Sequence, residues 1–202
     1  MISLDEARFV PLSLLLKNLS KTQVKKLLKT FKCPQNSDVE NFLHRNAIKF
    51  ELSGLSRTYI WFLENPLKVV AYFTVALKAI TLDEATLKAI EEAAGEQFKE
   101  ILNDLLKGFP LGERNKQIPV YLIGQLGKAP EVEKLGGYLL KVALEKIQIA
   151  SEAVGGKIVV LDVVKKENFE KLVQHYRDLG FRELYEFNYQ GAGLIRLYYK
   201  LP

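Results

Sequence analysis

The chain has 202 residues, of which 48% are hydrophobic and 26% charged, and its formal net charge is +5. That is ample apolar material for one packed domain of ordinary soluble composition, and no apolar run approaches the ~20 residues that span a bilayer. A single cysteine, Cys33, excludes an internal disulfide framework, and with only His44 and His175 beside it no conventional zinc site is expected. The opening Met-Ile-Ser-Leu-Asp-Glu-Ala-Arg lacks the basic-then-apolar layout of a secretory signal, so a cytoplasmic location is expected. The charge is uneven. Residues 1–37 carry Arg8, Lys17, Lys21, Lys25, Lys26, Lys29 and Lys32 against Asp5 and Glu6, which accounts for the whole excess. This stretch reads either as the wet face of an amphipathic helix or as a surface that steers an acidic partner such as nucleic acid.

Phe9-Val10-Pro11 reads as the end of a short strand. Ser20 or Thr22 then caps a helix to about Lys32, with Val24, Leu27, Leu28 and Phe31 on one side and lysines on the other. After the loop Pro34–Ser37, Asp38 leads a second helix whose apolar side holds Val39, Phe42, Leu43, Ala47, Ile48 and Leu52, with Gly54 as its stop. Thr58–Leu63 and Val69–Leu77 are β-branched and aromatic, and Asn65-Pro66 between them predicts a hairpin. From Asp83 to Lys107 the period is helical, and Gly95 is a candidate break between two helices.

Ile118–Leu126 returns to strand, Gly127–Lys134 is a loop, and Gly136-Gly137 introduces an apolar helix to Ala150. Past Gly155-Gly156 the pattern predicts a buried strand at Ile158–Val163 and a helix from Glu167 to Asp178. That helix turns Phe169, Leu172, Val173 and Tyr176 inward. Phe181–Tyr189 and Leu194–Leu201 read as closing strands. The order predicts one α/β domain over 1–202, a single mixed, mostly antiparallel sheet flanked by helices, with a helical insert at 82–117.

Two units carry candidate chemistry. The first runs strand, loop, Gly136-Gly137, helix, where close backbone approach and a helix N-terminus favour a phosphate, with Lys134 as a nearby cation. It matches neither a P-loop nor a dinucleotide fingerprint, and a plain tight turn remains the alternative. The second is Tyr176-Arg-Asp-Leu-Gly180-Phe181, where Tyr176 is either a core tyrosine or a functional hydroxyl.

In this order and at this distance the two units resemble the GNAT acetyltransferase superfamily, over about Asp38 to Leu201. Asp38-Val-Glu-Asn-Phe-Leu through Ser56-Arg-Thr-Tyr59 is similar to the GNAT group that includes toxins acetylating aminoacyl-tRNA. The resemblance implies the acyl-CoA N-acyltransferase fold, acetyl-CoA as donor and direct transfer to an amine. Coenzyme binding then falls to Leu126, Gly127, Lys128, Lys134, Leu135, Gly136, Gly137 and Tyr138, with Asn168 one residue out of register. It further implies Tyr176 as the acid toward the coenzyme thiolate, and a backbone N–H at Leu126 or Gly127 toward the oxyanion.

The chain departs from the family's Gln/Arg-x-x-Gly-x-Gly/Ala loop, reading Glu131, Lys134 and Gly136, and its loop is about two residues shorter. Gln125-Leu126-Gly127-Lys128 also stands where the toxins carry Arg-Leu-Ala-Val. His44, His175, Glu40 and Glu51 are the only candidate bases, and Cys33 is a remote candidate nucleophile. Three readings of function follow: an enzyme acting on aminoacyl-tRNA held by the basic N-terminal face, an acetyltransferase for a protein or small amine, and a non-catalytic coenzyme-binding regulator. The helical insert has three readings: a wall of an acceptor groove, a homodimer contact, or a satellite helix pair packed on the sheet.

Overall fold

In the computed structural model, the described residues are 2–107, 116–132, 137–167 and 169–202. Among them the chain forms seven strands in one mixed sheet of order β1-β2-β3-β4-β5-β7-β6, with helices around it. The α/β class expected from the sequence is the observed one. Contacts divide the chain into Met1–Ala76 with Ile123–Ile147, and Leu77–Leu122 with Gln148–Pro202.

The first unit begins with β1 (Arg8–Pro11), followed by a helix that the sequence pattern did not announce, α1 (Leu12–Asn18). α2 (Lys21–Leu28) starts at Ser20, which accepts from Gln23 N–H while the Gln23 side chain accepts from Ser20 N–H, a complete capping box. The helix is one turn shorter than its apolar spacing suggested. The expected second helix is two, α3 (Ser37–Arg45) and α4 (Ala47–Leu52), interrupted at Asn46. Asn36, not Asp38, caps α3, its Oδ1 accepting from the N–H groups of Asp38 and Val39. α4 ends in a Schellman turn at Gly54 (φ 72°), with Leu55 N–H on Phe50 O and Gly54 N–H on Glu51 O.

Leu52, expected inward, is exposed. Glu51 turns in instead, because its carboxylate accepts from Thr58 N–H at 2.8 Å and from Arg57 at 3.1 Å, so the buried charge is met on two sides.

β2 (Arg57–Glu64) pairs antiparallel with β1 and β3 (Leu67–Leu82) across the cis Asn65-Pro66 turn. Val69–Thr74 of β3 is buried throughout, which is why it reads as an unbroken apolar run. One core gathers Leu12, Leu28, Phe31, Leu43, Ile60 and Tyr72.

In the second unit α5 (Glu84–Ala94) and α6 (Phe98–Leu106) are separated at Gly95 (φ 53°), as the sequence suggests; residues 108–115 of the expected insert lie outside the described ones. Ile90, Ile101 and Leu105 join Ile118, Val160 and Leu184 in a second core. β4 (Lys116–Lys128) runs two residues beyond its predicted end, so Gly127 and Lys128 belong to a strand and not to the loop. α7 (Tyr138–Val154) follows, then β5 (Ile158–Val164), α8 (Phe169–Asp178), β6 (Arg182–Tyr189) and β7 (Ala192–Lys200). β7 pairs antiparallel with both β5 and β6. On α8 only Val173 is fully buried. Phe169 and Tyr176 are half-buried, and Leu172, expected inward, is exposed. Among the described residues no helix is long and apolar enough to cross a membrane.

Candidate functional site

The candidates fall into two sets, one in each unit. The first unit holds Leu126, Gly127, Lys128, Gly137 and Tyr138; the second holds Tyr176. Lys134, Leu135, Gly136 and Asn168 lie outside the described residues.

Gly127 has a packing reason to be glycine. A Cβ there would meet Val39 Cγ1 at 2.4 Å and Phe31 Cζ at 3.5 Å, so α3 rests directly on the β4 backbone. Gly127→Ala is expected to cost about 1–3 kcal/mol by overpacking, read as a lower urea midpoint at constant slope. An unchanged midpoint would contradict this seating of α3.

The backbone also separates Leu126 from Gly127. Ala129 N–H donates to Val70 O of β3 at 2.8 Å. N–H groups alternate sides along a strand, so Gly127 N–H is directed to the same β3 edge and Leu126 N–H to the opposite one.

Beyond β4, Val132 N–H donates to Ala129 O and Lys128 Nζ to Val132 O (2.7 Å), closing a tight turn. Ile2 N–H donates to Glu131 O at 2.9 Å, and Ile2 bridges Val132 in parallel. The Glu131 carboxylate pairs with Lys68, which holds it below the usual carboxylate range. α7 opens on Gly137 at φ 85°, whose carbonyl accepts the first helical bond, from Lys141 N–H. The N–H groups of Gly137, Tyr138, Leu139 and Leu140 therefore have no intrahelical acceptor, and the first turn carries no acidic residue. A 17-residue helix presented this way suits an anion such as a phosphate. Tyr138 stands 45% exposed, its ring 6.3 Å from Trp61.

In the second unit, Tyr176 opens a Schellman cap that ends five positions later at Phe181. Phe181 N–H donates to Tyr176 O and Gly180 N–H to Arg177 O, with Gly180 at φ 92°. The Tyr176 and Phe181 rings lie 6.0 Å apart, which is the apolar contact that accompanies this cap. The spacing Tyr-x-x-x-Gly-Phe thus has a structural cause independent of chemistry, and the cap fixes where Tyr176 stands on the helix. Desolvation pushes its hydroxyl up to about 12, so it is a proton donor at every physiological pH.

Three of the four candidate bases are engaged in the fold. Glu40 accepts from Cys33 N–H at 2.8 Å, which with Lys32 holds its carboxyl low. His44 Nε2 is 3.0 Å from Phe31 O, and Glu51 is tied to Arg57 and Thr58. His175 is exposed, its ring 5.9 Å from that of Tyr176. Burial pushes the Cys33 thiol up, the wrong direction for a nucleophile. Among the described residues no three His, Cys, Asp or Glu side chains converge to hold a metal. The spacing of the sequence gave no sign of Lys68, because its partner lies 63 positions away.

No protein-family model matches the sequence, and no curated protein does. Solved structures do. A tyrosine-to-phenylalanine mutant of the AtaT toxin, bound to the C-terminus of the antitoxin AtaR and acetyl-CoA, is 18% identical with a TM-score of 0.55. That likeness covers 86% of this chain and 84% of that one. AtaT complexed with acetyl-methionyl-tRNAfMet is 21% identical with a TM-score of 0.56, over 83% and 85%. A tyrosine-to-phenylalanine mutant of KacT is 16% identical with a TM-score of 0.53, over 84% and 85%. This chain has the GNAT fold of these toxins.

Proposed function

We propose that the protein is an acetyl-CoA-dependent N-acetyltransferase. The observation that carries this is the start of α7 in a GNAT fold, where a positive-φ glycine and four N–H groups without helical acceptors follow β4, and the helix's own first turn carries no acidic residue. Gly137 and Tyr138 would hold a coenzyme phosphate through their backbone. Leu126, whose N–H faces away from β3, is the better of the two oxyanion donors.

In the reaction the acceptor nitrogen attacks the thioester carbonyl, the C–N bond forms, the C–S bond breaks, and the amine proton passes to a base or solvent. Tyr176 is the assigned donor to the departing sulfur. A coenzyme thiol has a pKa near ~8.5, far below that of Tyr176, so the hydroxyl stabilises the thiolate chiefly by donating a hydrogen bond.

For the acceptor we favour aminoacyl-tRNA. Lys17, Lys21, Lys25, Lys26 and Lys29 are exposed on α1, α2 and the turn after it, and none has an acidic partner among the described residues. AtaT, which shares the fold, has been solved with an acetylated aminoacyl-tRNA. Thiol release from acetyl-CoA, followed with charged tRNA, with peptides and with small amines, tests the assignment. Release with charged tRNA alone supports it, and release only with peptides or small amines replaces the acceptor. Binding with no release on any acceptor would leave a coenzyme-binding regulator. Reversing Lys25, Lys26 and Lys29 to Glu should weaken tRNA binding at low salt by about tenfold or more, with a shallower salt dependence. Unchanged binding would leave these lysines as a solvated helix face.

A further inference from the structure

We propose that the second unit holds a site for a small zwitterion, a free amino acid in chemical class, in the cavity between α6 and the strands β6 and β7. The cavity measures about 330 Å³, at the small end of the ~300–1,000 Å³ typical of ligand pockets, and all of its lining belongs to that unit. α6 supplies Glu100 and Asp104, four positions apart and so on one helix face, with about 6 Å of rise between them. β6 supplies Arg182. β7 supplies Tyr198, which pairs with Arg182 in register, and Lys200, two positions on and so on the same side of the strand.

Two carboxylates on the helix therefore face two cations on the strands. Arg182 Nη1 donates to Glu100 Oε1 at 2.6 Å, and Lys200 Nζ donates to Asp104 Oδ1. Each pair is joined through one nitrogen and one oxygen, so each group keeps N–H donors or an oxygen to spare. These pairs brace α6 against the sheet, but a brace does not account for Tyr198. That side chain is 1% exposed, and nothing meets its hydroxyl in hydrogen-bonding geometry, although the charge of Arg182 acts on it. Buried polar groups are ordinarily paired, so an unpaired hydroxyl on the wall of a cavity calls for a polar partner inside it.

The charges select that partner. Among the described residues the lining carries Arg182 and Lys200 against Glu100 and Asp104, and no other charged group. A simple anion meets the repulsion of the two carboxylates, and a simple cation that of the arginine and the lysine. A molecule with a carboxylate and an ammonium a few ångströms apart finds an opposite charge at each end. Its carboxylate would accept from Arg182, Lys200 and Tyr198 Oη, and its ammonium would donate to Glu100 and Asp104. The walls offer little apolar surface, so the side chain of such an amino acid is small or polar.

The test is ligand-observed NMR with glycine, L-alanine and L-serine, beside propionate and ethylamine, which each carry one of the two charges. At least one amino acid should bind saturably with millimolar affinity or better, and propionate and ethylamine at least about tenfold more weakly. Tyr198→Phe should weaken the amino acid by about fivefold with Tm unchanged or raised, since the hydroxyl it removes has no partner in the protein. No saturable binding by any of the three amino acids overturns the proposal. Equal binding of propionate or ethylamine does so too. An unchanged affinity in Tyr198→Phe would leave the hydroxyl to water and the four charges to bracing α6, and would equally overturn it. None of these measurements involves acetyl-CoA, so their outcome is independent of the coenzyme reading.

Discussion

Tyr176→Phe is expected to lower acetyl-transfer turnover by about a hundredfold or more while changing acetyl-CoA affinity by no more than about threefold. In the proposed role the hydroxyl acts only when charge develops on sulfur, so its loss would fall on the rate and not on ground-state binding. The fold should be indifferent to the change. The Schellman cap is made by the backbone of Tyr176, Arg177, Gly180 and Phe181, and the ring retains its contact with Phe181. Because desolvation holds the hydroxyl near 12, it stays protonated through the alkaline range, and no fall in rate below that pH should be traceable to it. Parallel losses of rate and affinity would instead identify Tyr176 as a packing residue, the alternative its spacing always allowed. Single-turnover rates beside calorimetric affinities separate the two.

Arg196→Met is expected to destabilise the protein by about 3 kcal/mol, among the largest effects of any surface-remote substitution here. Arg196 and Asp162 face each other across β7 and β5 and form a bidentate pair at 2.7 and 2.8 Å, while a third nitrogen donates to Tyr185 Oη at 2.7 Å. The guanidinium also lies over Phe187, 4.7 Å from the ring centre. With the side chains only 13% and 20% exposed, removing the arginine strands a carboxylate that water reaches poorly. At this chain length the loss corresponds to a fall in Tm of about 6–12 °C. Asp162→Leu combined with Arg196→Met should recover part of it, since no charge is then left unpaired. A shift of under about 1 kcal/mol for the single variant would show the pair to be solvated.

What the sequence disclosed follows from range. A helix start at Ser20 or Thr22 was legible, though not the box that Gln23 completes with Ser20, and so were the stop at Gly54, the break at Gly95 and the hairpin at Asn65-Pro66. The Tyr176–Phe181 spacing was visible too, although its role as a helix cap required the backbone. α1 was hidden because seven residues without a side-chain cap carry little periodic signal, and burial of Leu12 and Leu15 makes it a helix. Leu52 was placed inward because spacing cannot know that Glu51 will find Arg57 and Thr58 N–H. Gly127 read as a loop glycine beside a ligand, but Val39, 88 positions earlier, is what excludes a side chain there. The carboxylate at Glu131 stood out in the sequence, but its partner Lys68, 63 positions earlier, was beyond the reach of spacing.

The central claim is that this fold binds acetyl-CoA, and titration calorimetry of the unaltered protein tests it most directly. One site per chain is expected, with a dissociation constant in the micromolar range, about −8 kcal/mol, and weaker binding of acetyl-pantetheine, which offers α7 no phosphate. No detectable heat or competition with acetyl-CoA at millimolar concentration would contradict it.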